Sequence, residues 1–225
     1  MVEGRSQLYG VPFGARARMI LIYLQSQALR TRSREVSLGR SMRDWLSRMN
    51  VPPGGETAKA FREQAARISA CSIKFFWDHE GGDGFEKGAI IRSGLFFGTK
   101  TDAEGRQGML WEDVVVLDEA FYRALQDHPV PLLESAIRQL KDRSLSLDIY
   151  VWLAYRLHSL VRTISISWPS LHGQFGAGFK HLRQFKGYFI DALTAALAAY
   201  PDADVDITDD SVVLHPSRPP IARIK

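Results

Sequence analysis

Five donor side chains, Lys180, His181, Arg183, Gln184 and Lys186, crowd into seven residues directly after the glycine turn Gly176-Ala177-Gly178. Lysine and arginine neutralise phosphates, and an arginine fork or a glutamine amide can pair in two places with a purine edge in the major groove. A second cationic group recurs on a helical stretch from Thr57 to Ala70, with Lys59 and Arg62 on the outward side and Arg67 toward one edge. Hydrolytic and metal chemistry is poorly served by comparison. Gly54-Gly55-Glu56-Thr57 lacks both the spacing and the lysine of a phosphate-binding loop. The six histidines include no pair with one intervening residue and no His-Glu-x-x-His, and Cys71 stands alone, so neither a zinc site nor an internal disulfide is expected. The aspartates from Asp202 to Asp210 lack the glycine and glutamate of a calcium loop. No cofactor and no catalytic residue is expected.

These donors need helices to carry them. Trp168 to Phe175 reads as a short helix with Pro169 in its first turn. A longer one is expected from Phe179, with Leu182, Lys186, Phe189, Ile190, Leu193 and Leu197 on one side and Lys180, Gln184, Gly187 and Asp191 on the other. Gly187 admits two readings, a close approach of nucleic acid or a packing glycine against a neighbouring helix. Upstream, Phe13 to Arg30 has helical periodicity, Glu35 to Leu38 reads as a short strand, and Ser41 caps a helix to Met49 before a break at Val51 to Gly55. Helix, strand, helix, turn and basic helix is the order of a winged helix-turn-helix. Cys71 to Trp77, Ala89 to Gly98 and Met109 to Leu117 then form a three-stranded wing, with Asp78 to Gly88 as a glycine-rich loop. The aromatics Phe75, Phe76 and Trp77 suit core filling better than base stacking.

The plan recurs in the second half, with a helix over Leu147 to Val161, a strand over Thr163 to Ser167, the Trp168 and Phe179 helices, and a hairpin turning on Asp209-Asp210. An α+β chain of two tandem winged helix-turn-helix domains is expected, 9–117 and 118–216, with a frayed tail at 217–225. Trp45, Trp152 and Trp168 should be at least largely buried. Of the 29 Lys and Arg, residues 1–70 hold 12 against 5 Asp and Glu, whereas the remainder holds 17 against 20, so a polyanionic partner suits the first third. The acidic second hairpin suits solvent or a protein instead. No run of about 18 apolar residues appears, and a cytoplasmic setting fits the single cysteine and the absence of a secretory layout at the start.

Several segments in order, YGVPFGARARMILIYLQSQALRT, REVSLGRSMRDWLSRM, REQAARISAC, HPVPLLESAIRQL, LDIYVWLAYRLHSL and ISWPSLHGQFGAGFK, resemble the plasmid-encoded RepA replication initiators of proteobacteria. The similarity runs from about Tyr9 to Pro216. It implies a DNA-binding initiator that occupies repeated origin sites on double-stranded DNA, assists strand opening and brings in host replication factors. A host initiator or helicase and a second copy of the chain are the protein partners compatible with that role. Two other readings stand beside it: a repressor of its own promoter, and a rolling-circle nicking enzyme, which would need the absent His-x-His.

Overall fold

The computed structural model describes residues 9–79, 82–94, 99–101, 107–109 and 114–221. The chain is α+β and falls into two compact units that divide between His128 and Pro129.

The first unit begins with α1, Gly14–Thr31, which buries Ala17, Ile20, Tyr23, Leu24 and Ala28 at helical spacing and ends on Arg32 in the left-handed region, φ 52°. Next come β1, Glu35–Ser37, and α2, Met42–Arg48. The link between them is tight. Gly39 has φ +87°, and a Cβ there would lie 2.2 Å from the Asp44 carboxylate, so only glycine fits. Asp44 in turn accepts from the Arg40 backbone N–H at 2.9 Å, and Ser41 caps α2 by accepting from the Asp44 N–H. The third helix, α3, is Gly55–Ala70 and buries Phe61, Gln64, Ala65 and Ile68. Trp45, fully buried, meets Tyr23 and Phe61 edge-on at 6.4 and 6.2 Å, which locks the three helices around one aromatic centre.

Among the described residues six strands follow: β2 Ser72–His79, β3 Gly82–Ala89, β4 Ile91–Ser93, β5 Thr99–Thr101, β6 Gln107–Met109 and β7 Val114–Leu117. They correct the expected three-stranded wing. β2 pairs with β3 and β5 with β6, while β4 joins a separate antiparallel sheet in the order β1-β7-β4. The stretch from Gly82 to Gly88 is therefore strand, not loop. Its glycines favour a turn locally, but a complete antiparallel ladder with β2, from Ser72↔Ala89 to His79↔Gly82, supplies the backbone partners that overrule composition. The side chains of Phe75, Phe76 and Trp77 lie outside the described residues. α4, Glu119–Asp127, capped by Asp118, packs on α1 and β3 and so belongs with the first unit.

In the second unit α5, Glu134–Leu140, packs on α6, Ser144–Arg156, which ends in a single 3-10 turn at Leu157–Ser159. Then come β8 Ile164–Ser167, α7 Trp168–Phe175, α8 Leu182–Ala198, β9 Val205–Ile207 and β10 Ser211–Leu214. The sheet order is β8-β10-β9, antiparallel throughout. Leu147, Ile149, Leu153, Leu171, Phe185, Phe189 and Leu193 fill the core with no accessible surface. Trp168 is buried, and Trp152 is covered for the larger part, its ring 5.5 Å from Phe175. The chain does not fray at Ser217: its N–H donates to the Leu157 carbonyl, and the Tyr200 hydroxyl donates to the Arg218 carbonyl. Among the described residues no helix is long and apolar enough to cross a membrane.

Candidate nucleic-acid interface

The α7 and α8 pair is built to present one helix end. Ser167 caps α7 through the Ser170 N–H, and Pro169 occupies the first turn, where its missing N–H costs nothing. Gly176 ends α7 with its N–H on the His172 carbonyl. A Cβ at Gly176 would sit 2.5 Å from that carbonyl oxygen, which makes the glycine obligatory. His172 Nε2 donates across the turn to the Phe179 carbonyl at 3.0 Å, and its ring meets Phe185 edge-on at 5.1 Å. The turn is thus held from both sides.

α8 starts at Leu182, not at Phe179, because the chain stays in the turn until His181, whose extended backbone occupies the cap position. The buried stripe runs through Phe185, Phe189, Leu193 and Ala196, rotated from the expected one. Leu182, expected inside, is 39% exposed. Lys180, His181, Arg183 and Gln184 are all exposed at this helix start. Lys186 differs: it is half-buried, donates to the Asp209 carbonyl at 2.8 Å and lies 4.9 Å from the centre of the Trp168 ring. Trp168 holds the same turn through Nε1 to the Thr208 carbonyl at 3.2 Å. Lys186 therefore fastens the β9–β10 turn to α8.

On α3 the three expected donors also separate. Lys59 is exposed and Arg62 half-buried. Arg67 is engaged with its own unit: Nη2 lies 2.7 Å from Glu63, Nη1 donates to the Val11 carbonyl, and the guanidinium lies 5.0 Å over the Phe13 ring. Its geometry ties down the segment ahead of α1, where Phe13 also donates its N–H to Gln64 at 2.9 Å.

Two sets of residues escaped the sequence reading. Tyr188, 59% exposed, stands one turn after Gln184 and tilts against Phe179 at 5.3 Å; its i+4 spacing from Gln184 was the available signal. Lys74 and Lys87 face each other across the β2–β3 ladder, both exposed. Like charges directly opposite are unfavourable in a hairpin, and nothing in the sequence reveals the pairing until β3 is known to be a strand.

Each unit thus holds a three-stranded antiparallel sheet whose first strand in the chain pairs with its last, in the orders β1-β7-β4 and β8-β10-β9. The plasmid-encoded RepA protein family matches residues 11–169, and the chain belongs to that family. The match ends at Pro169, at the start of α7. Two crystal structures of RctB domains 2 and 3 are similar in fold. One has 14% identity and a TM-score of 0.53, covering 89% of this chain and 81% of that one. The other, a selenomethionine derivative, has 15% identity and a TM-score of 0.59, covering 91% and 82%. No curated protein matches the chain.

Proposed function

We propose that this chain is a plasmid replication initiator that acts as a sequence-specific binder of double-stranded DNA, without catalysis of its own. In this reading each unit is a winged helix-turn-helix, α3 and α8 are the reading helices, and the DNA is a set of repeated origin sites. Binding there assists strand opening and brings in host replication factors. The observation that carries the reading is the exposed cationic start of α8, with Lys180, His181, Arg183 and Gln184 free of the core behind a rigid turn. A helix start so placed offers charge for phosphates and an amide pair for a base edge. The shared sheet order of the two units supports a tandem arrangement, and membership of the RepA family supports the initiator role.

Footprinting of the full chain on the DNA flanking its own gene tests this directly. Protection of a series of repeats is expected, with affinity falling by about 10³ or more between roughly 50 and 200 mM salt if six or so phosphates are contacted. Protection confined to the promoter would favour a repressor, and a flat salt response would remove duplex binding. Strand nicking in the presence of a divalent metal would overturn the non-enzymatic part.

A further inference from the structure

We propose that α8 meets DNA at Gly187, with a base-pair edge lying directly against the helix backbone there. The inference rests on the DNA-reading role of α8 proposed above. Gly187 lies inside a helix of 17 residues, where glycine is less stable than alanine. Its backbone has no positive φ to require glycine. Packing does not require it either: the residue is exposed, and an added Cβ would meet nothing within 4 Å. The reading of a glycine packed on a neighbouring helix is thereby removed, and nothing in the described chain calls for glycine at this position.

The placement says where. At 3.6 residues per turn, Gly187 falls on the side of α8 opposite the buried Phe185, Phe189, Leu193 and Ala196. The exposed Arg183 and Gln184 precede it by one turn on that side, and the exposed Tyr188 adjoins it. Asp191 follows one turn later, and Lys186 holds the turn carrying Asp209 and Asp210 beside the helix. Carboxylates at these two places repel phosphates, so the surface reaching Gly187 is a base edge and not the backbone. Without a side chain there, α8 can sit deeper in the groove, which brings Arg183 and Gln184 within reach of their bases. A methyl group at residue 187 would hold the helix away.

The test uses the full chain and a duplex enriched from a pool with a randomised core, beside a duplex of unrelated sequence. Gly187→Ala is expected to raise the thermal midpoint yet weaken binding to the enriched duplex by about tenfold or more, with little change on the unrelated one. Thr194→Ala, on the exposed side beyond Asp191, gains helix propensity too and should bind as the parent does. Parent-like binding by Gly187→Ala overturns the proposal, as does equal weakening by Thr194→Ala. A lowered midpoint for Gly187→Ala assigns the glycine to the fold and also overturns it. If no duplex is enriched, the reading role of α8 falls and this inference with it. If duplexes are enriched and Arg183→Ala weakens their binding while Gly187→Ala does not, only the present inference fails.

Discussion

Lys186 projects over the indole of Trp168, 4.9 Å from the ring centre, and from there donates to the Asp209 carbonyl at 2.8 Å. Because Trp168 bonds the carbonyl of Thr208 in the same turn, one lysine on α8 and one tryptophan on α7 jointly seat the β9–β10 hairpin. Lys186→Met keeps the aliphatic stem and removes both polar contacts. It should cost about 1 kcal/mol of stability and leave the salt dependence of DNA binding unchanged. Lys180→Ala should do the reverse, lowering the slope of log affinity against log salt by about one at parent stability. Chemical denaturation and salt titration of the two variants separate these roles.

Base preference should depend on Gln184. Its amide is exposed on the same side of α8 as Arg183, and an amide pairing in two places with adenine discriminates by about 1–3 kcal/mol. Gln184→Ala should therefore tolerate substitutions at one position of the site while keeping the salt slope. Competition with a set of singly substituted duplexes measures this.

Arg67 and Lys59 should behave differently although both stand on α3. Lys59→Ala is expected to lower the salt slope by about one. Arg67→Gln should leave the slope alone and instead release the segment around Phe13, seen as faster amide exchange at Phe13, whose N–H donates to Gln64.

The opposed lysines of the β2–β3 hairpin give a third electrostatic test. Replacing Lys74 and Lys87 together by alanine removes a like-charge pair. If phosphates are what the pair faces, the salt slope falls by about two and base preference is unaltered; an unchanged slope assigns the pair to solvent.

Alkaline stability should report on Tyr200. Burial pushes its phenol from 10.0 up to about 12, with the neighbouring Tyr150 and Asp202 acting in the same direction. A folded-state value above the unfolded one means that its contribution is complete below pH 10 and is lost as pH rises from there towards 12. Tyr200→Phe, which loses the bond to the Arg218 carbonyl, should melt lower at neutral pH yet lose less stability across that window. Thermal midpoints followed from neutral to alkaline pH check the sign.

Much of the helical framework could be read in advance because its signals are local. Ser41, Ser167 and Pro169 mark helix starts through hydrogen bonds or φ preferences that involve only the next few residues. The His172–Phe179 clasp, by contrast, depends on Gly176 bringing two backbone segments together. Phe185 was missed for a related reason: the helical spacing admits more than one inward stripe, and packing on α7, which sets Phe185 against His172 and Phe189 against Trp168, selects the one through Phe185 and Phe189.

By itself the sequence determined the order of helices and strands around the two helix pairs, the exposed cationic start of α8 and the resemblance to RepA proteins, since periodicity, caps and composition act over a few residues. Only the tertiary structure decided that Gly82 to Ala89 is a strand, that Lys87 opposes Lys74, and that Arg67 and Lys186 bind their own fold. Each of these depends on a partner distant in the chain. A cation's sequence position shows that it carries charge, but whether a carbonyl, an aromatic ring or solvent receives that charge is settled by what the fold places beside it.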